Sequence, residues 1–366
     1  MNPILHPLTL LLMLALLVSI GIILYLWRKL HSRPPHYYTP PIVELNLPDP
    51  EDVLGFRQLE ESEKLDVVHA ELLANSAFHK FVPKQFVNHF TKEGKQKLVL
   101  GQAGEDDVAI LFCDIRGFTG LSESMSPQEL MNFLNSYFLR MSEPIHRHNG
   151  FIDKFIGDAI MSLFDHPGGT EQHKADDALR AAIDLRKTIV IYNQHRANSG
   201  YPPIDIGIGI HYGPVILGTI GSHVRMDTTV IGDSVNIAYR LETLTPIYGC
   251  DIIVSAQLLD SAKARETYRH RLLDWVCVKG KRNPVEIYEV MTHLPEDEIA
   301  RKLKTAPFIK TGLSARKAQQ WNQAIDAFKA AQAIDPQDKV IQHHIQQCNQ
   351  LRTKPLHPQW DGSVTL

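Results

Sequence analysis

Between Val108 and Phe164 the spacing of apolar positions changes twice. Val108–Ile115 (VAILFCDI) is a nearly unbroken apolar run rich in β-formers, with Asp114 near its end and Gly117 just beyond, which predicts a strand that stops at an acidic residue. Leu130, Phe133, Leu134, Tyr137, Phe138 and Met141 then recur at three- and four-residue steps, the period of one helix face. Ser126 can cap that helix, Pro127 suits its first position, and Glu129 completes a capping box. Two short apolar runs, Phe151–Ile156 and Ala159–Phe164, flank Gly157–Asp158, so the second aspartate is predicted at a hairpin turn.

The pattern continues in the same mixed style. Lys174 to Asn193 reads as a second amphipathic helix, ended by Asn198–Ser199–Gly200. Ile204, Ile206, Ile208 and Ile210 alternate with Asp205, Gly207, Gly209 and His211, a strict strand period. Gly213–Pro214 is predicted to turn the chain into another strand, and Thr228–Ile231 is short and β-branched. Asp233 is predicted to cap a helix bearing Val235, Ile237, Ala238, Leu241 and Leu244. Asp251–Ser255, Arg271–Val278 and Val285–Val290 supply the last strands. Helices and strands alternate around hairpins, so the expected class is α+β and not a doubly wound sheet.

The flanks differ from this core. Leu8–Trp27 carries no charge, and a helix of that length spans a hydrocarbon core of about 30 Å. Arg28, Lys29 and Arg33 follow, while residues 1–7 have neither Lys nor Arg; the positive-inside rule then puts the rest of the chain in the cytoplasm. The expectation is a single-pass anchor (residues 1–30) in the plasma or inner membrane. A Pro-rich linker (31–50) and a helical stalk (51–104) follow, the stalk packing on the next domain or pairing as a short parallel dimer. From 296 to 352 an Ala-rich helical stretch resembles one tetratricopeptide-like pair, too little to bury its own face; it is expected to pack on the preceding domain. Residues 353–366 are expected to be disordered.

Composition adds mostly exclusions. The 366 residues allow two or three domains. A hydrophobic share of 44%, a charged share of 22% and a net charge of −3 describe an ordinary globular chain and give no argument for nucleic acid. Cys113, Cys250, Cys277 and Cys348 form no CxxC pair, and the 18 histidines include no HExxH. The cysteines therefore read as free thiols in a reducing compartment. A β-α-β arrangement can bring Asp114 and Asp158 to neighbouring strand ends, where Mg²⁺ commonly takes one or two carboxylates plus substrate phosphates. On spacing alone, two plain turn aspartates remain the alternative. The RGFTG turn after Asp114 could present free N–H groups to phosphates.

The motifs FCDIRGFT, LSE, DKFIGDAIM, GIGIHYGPVILGTIGS and VIGDSVNIAYRLE occur here in one order, and together they resemble the catalytic domain of class III nucleotidyl cyclases over residues 105–293. The resemblance implies a ferredoxin-like α+β core that makes a cyclic nucleotide from a nucleoside triphosphate with two Mg²⁺ or Mn²⁺ ions per site. By motif position it implies Asp114, Asp158 and the Ile115 carbonyl as metal ligands, and Lys154 and Thr229 as readers of the purine. Asn236 and Arg240 would act on ribose and transition state, with Arg116, Gly117, Phe118, Thr119 and Lys279 around the phosphates. The lysine and threonine imply ATP and 3′,5′-cyclic AMP, since guanylate cyclases carry a glutamate and a small residue there. The threonine resembles a subgroup that includes bicarbonate-responsive enzymes. A head-to-tail homodimer with composite sites is the implied assembly. A guanylate or relaxed-specificity cyclase, and a catalytically silent membrane-anchored protein, are the alternatives.

Overall fold

The computed structural model describes Pro83, Gly101 and residues 103–166, 168–222, 224–277, 284–356 and 360–365. The expected anchor (8–27), the linker and nearly all of the stalk lie outside the described residues, as does Lys279. Among the described residues no helix is long and apolar enough to cross a membrane.

One mixed sheet organises the molecule. Its strands are β1 (Ala103–Ile115), β2 (Phe151–Ile156), β3 (Ala159–Phe164), β4 (Ile206–Gly221), β5 (Met226–Ile231), β6 (Ile252–Ser255), β7 (His270–Cys277), β8 (Val285–Val290) and β9 (Val364–Thr365). They run in the order β2-β3-β1-β4-β6-β8-β7-β9, with β5 also paired to β4. The helices are α1 (Phe118–Glu123), α2 (Pro127–Arg147), α3 (Glu171–Asn198), α4 (Asp233–Tyr248), α5 (Ala256–Ser261), α6 (Glu296–Lys317), α7 (Trp321–Ile334) and α8 (Lys339–Leu351).

The apolar run of β1 is buried on both faces, as expected for a central strand covered on each side. Ala109, Leu111, Cys113 and Ile115 pack under α2 and α3, while Val108, Ile110 and Phe112 join Val230 and Ala238 on the other face. The capping box forms as the sequence suggests: Glu129 N–H donates to Ser126 Oγ at 3.4 Å and Ser126 N–H to Glu129 Oε2 at 2.9 Å.

Two local expectations change. Gly213–Pro214 does not break the chain; β4 is one 16-residue strand through it. Pro214 lies between the residues that pair with β6 (Ile208–Ile210) and those that pair with β5 (Ile216–Gly221). There β4 has a ladder only on the β1 side, so a missing N–H is tolerated. Asp233 is not the cap of α4 either. The N-cap is Gly232, without a side-chain cap bond, and Asp233 sits in the first turn, where its charge suits the helix dipole.

The glycines alternating along β4 have a packing purpose. A Cβ on Gly209 would run into the Glu242 backbone N–H, and one on Gly207 into the Thr245 side chain. Helix α4 therefore rests directly on the backbone of β4. The carboxyl-terminal helices α6–α8 cover the far side of α4 and β7, sharing a core of Ile237, Leu241, Tyr248, Leu273, Leu313, Phe328 and Ile341. The tail expected to be disordered returns to this surface: β9 pairs in parallel with β7 at Val276↔Val364, and the Gly362 carbonyl accepts from Arg316 Nη2 at 3.1 Å. A polar tail with no apolar pattern of its own takes its order from the free edge of β7 and a buried guanidinium.

Candidate active site

Strand β1 delivers Asp114 to the end of the sheet, and the β2–β3 turn delivers Asp158. Gly157 makes that turn at φ 64°, a left-handed value that a side chain resists. Both carboxylates converge on one backbone group: Ile115 N–H lies 3.0 Å from Asp114 Oδ1 and 3.3 Å from Asp158 Oδ2. Burial, then the hydrogen bond and charge of Asp158, push the Asp114 carboxyl up to about 8. Two half-buried acids forced together repel when ionised, and a divalent cation between them relieves this directly. The donor set thus fits a hard cation held by two carboxylates and completed by other oxygens; among the described residues no third acidic, His or Cys ligand joins them.

Beyond Asp114 the chain turns at Gly117 (φ 69°), which is the uncapped N-cap of α1. Phe118 and Thr119 open that helix, whose first N–H groups have no intrahelical acceptor. Arg116 behaves differently from the other residues grouped with the phosphates. Its Nη1 meets Asp205 at 3.3 Å and its Nη2 meets Asp251 at 3.4 Å, while its N–H donates to the Asp205 carbonyl at 2.9 Å. Arg186 and His293 complete this cluster on Asp251, so the Arg116 side chain braces the turn from behind. The sequence does not announce this role because its partners, Asp205 and Asp251, lie just before β4 and β6, far along the chain.

Lys154 and Thr229, separated by 75 positions, are in direct contact. Lys154 Nζ donates to Thr229 Oγ1 at 2.9 Å. Two further acidic groups were not singled out from the sequence. Asp153, beside Lys154, has a fully enclosed side chain. Glu242, two residues after Arg240, is buried behind the aspartates, and burial pushes its carboxyl up to about 7. Asn236 is exposed and Arg240 half-buried, one turn apart on α4. Apolar residues lie exposed near these groups: Phe155 and Ile156 on the β2–β3 hairpin, Ile231 on β5, and Tyr239 on α4, which is 52% exposed.

Residues 101–292, just over half of the chain, match the family described as the adenylate and guanylate cyclase catalytic domain. The chain belongs to this family. An adenylate cyclase of Anabaena cylindrica is 44% identical over 219 residues, 58% of this chain and 42% of that protein. A terminal-differentiation specific adenylate cyclase of Dictyostelium discoideum is 34% identical over 278 residues, 75% of this chain and 13% of that protein. The chain thus spans less than half the length of either relative. Among solved structures, that of a bacterial light-regulated adenylyl cyclase aligns with a TM-score of 0.54 at 25% identity, covering 66% of this chain and 67% of the other. The mixed sheet with its helices is accordingly the catalytic fold of the cyclases.

Proposed function

We propose that this chain is an adenylate cyclase that converts ATP to 3′,5′-cyclic AMP and diphosphate. The observation that carries the choice of nucleotide is the Lys154–Thr229 contact. An ammonium has three donors and no acceptor, and a hydroxyl oxygen that accepts from it keeps a second lone pair. The pair can therefore donate to the ring N1 of adenine and accept from its 6-amino group. Guanine offers an N–H where adenine offers N1, so a donor meets a donor, a mismatch of about 1–3 kcal/mol when desolvated.

Asp114 and Asp158 would hold divalent cations, two of Mg²⁺ or Mn²⁺ in this reading, with the Ile115 carbonyl as a further ligand. Such ions, when bound, stabilise the attacking 3′-oxygen and the leaving diphosphate. The turn at Gly117–Thr119 offers N–H groups to the phosphates. Asn236 orients the ribose, and Arg240 places a permanently charged fork on the oxygens of the α-phosphate as charge builds there. Lys279 takes a phosphate-contacting role on sequence position alone.

The two halves of this machinery complement each other best across a head-to-tail homodimer, each site drawing its acids from one protomer and its Asn–Arg pair from the other. The exposed Phe155, Ile156, Ile231 and Tyr239 support a partner surface beside the site. Membrane attachment through Leu8–Trp27, with the catalytic domain on the cytoplasmic side, rests on the sequence. A threonine hydroxyl can also donate, which favours relaxed specificity as the second reading.

Product analysis with ATP and GTP in Mn²⁺ tests the activity: cyclic AMP is expected in excess, and cyclic GMP as the main product would overturn it. Mixing Asp114→Ala with Arg240→Ala protein tests the shared site. Activity should return toward one quarter of the wild-type level, since random pairing yields half heterodimers with one intact site each. A mixture as inactive as its parents would refute the composite arrangement.

A further inference from the structure

Strand β2 is irregular where it carries Lys154. Its register against β3 shifts between Ile152 and Lys154, leaving Asp153 without a cross-strand partner. The side chain so displaced is 0% exposed, and neither carboxylate oxygen has a hydrogen-bond partner. An enclosed carboxylate without donors costs the fold free energy, and replacing it by an apolar group would ordinarily be neutral or stabilising. Its burial therefore has no evident structural return. The cation beside it is Lys154, whose Nζ lies 3.5 Å from Asp153 Oδ2 while donating to Thr229. Asp227 on β5 is the other charged group acting on it, and it repels.

We propose that Asp153 is a positioning residue for base selection, the carboxylate that holds the Lys154 ammonium at Thr229. This rests on the adenylate cyclase reading and adds the residue that enforces its specificity. The Lys154 ammonium, with three donors and no lone pair, distinguishes adenine from guanine only where it is held facing the base. An unrestrained lysine side chain could swing into solvent and leave the base unread. Thr229 accepts one N–H and the charge of Asp153 draws the ammonium from the other side, which leaves the remaining donors for the base. The β-bulge makes this possible, because regular alternation would send neighbouring side chains to opposite faces.

The test measures kcat/KM for ATP and for GTP on the full-length protein and its Asp153→Asn, Lys154→Ala and double variants. Asp153→Asn should lower the ATP-over-GTP ratio by about tenfold, the size of one lost charge-assisted contact, mainly through KM for ATP. In the Lys154→Ala background the same substitution should change the ratio by less than about twofold, since the residue acts through the lysine. Asp153→Ala should reproduce the shift if the asparagine protein melts early. An unchanged ratio in wild-type background, or an equal shift without Lys154, would overturn the inference while leaving the cyclase reading intact. A wild-type protein silent with both nucleotides would remove both together.

Discussion

At the scale of single residues the candidate site is a compromise between stability and chemistry. Asp114 and Asp158 share one N–H and repel each other. Asp114→Asn should therefore raise or preserve the melting temperature of metal-free protein, lose the stabilisation conferred by Mn²⁺, and reduce turnover by at least about 100-fold. Calorimetry with and without Mn²⁺, alongside an activity assay, checks all three. Thr229→Ala should be milder, raising KM for ATP by roughly fivefold, about 1 kcal/mol. The two aspartates and the Lys–Thr pair were legible from their motifs. The bracing role of Arg116 and the enclosure of Asp153 were not, because both depend on partners or register that spacing along the chain does not encode.

At the scale of elements the approach of α4 to β4 is the sensitive contact. Gly209→Ala would place a methyl against the Glu242 backbone, and backbone cannot step aside as a flexible side chain can. A loss of about 1–3 kcal/mol is expected, with displacement of Asn236 and Arg240 reducing kcat; denaturant melts and steady-state kinetics measure each. The alternation of isoleucine with glycine in β4 announced a strand, yet the reason for glycine appears only once a helix lies on it. The same holds for Pro214, which reads as a break until the neighbouring ladders are known.

At the scale of the whole molecule the carboxyl-terminal helices are continuous with the catalytic core. Arg316 donates to the buried Asp274, which also accepts from Tyr248 Oη at 2.8 Å and the Trp275 N–H at 2.8 Å. His344 Nε2–H donates to the Leu273 carbonyl at 2.9 Å. A second cluster joins Arg271 to Glu289 and Asp338. Arg316→Ala should cost about 3–5 kcal/mol, because it strands a buried carboxylate. Burial also pushes the His344 imidazole down to about 4. The unfolded chain binds that proton more readily, so this contribution to stability is present above about pH 6.5 and fades as pH falls toward 4. His344→Gln should flatten the dependence of melting temperature on pH across this window.

Period and punctuation along the chain were enough to determine most of the order of strands and helices and the capped start of α2, and the resemblance of its motifs to the cyclase family singled out the acidic and basic residues. These are local properties, written in side-chain spacing and in turn residues. The tertiary structure alone decided which charges are enclosed, that Lys154 touches Thr229, and that a polar tail becomes the last strand of the sheet. Those outcomes depend on contacts between residues tens to hundreds of positions apart, whose free energy exists only after the layers have packed.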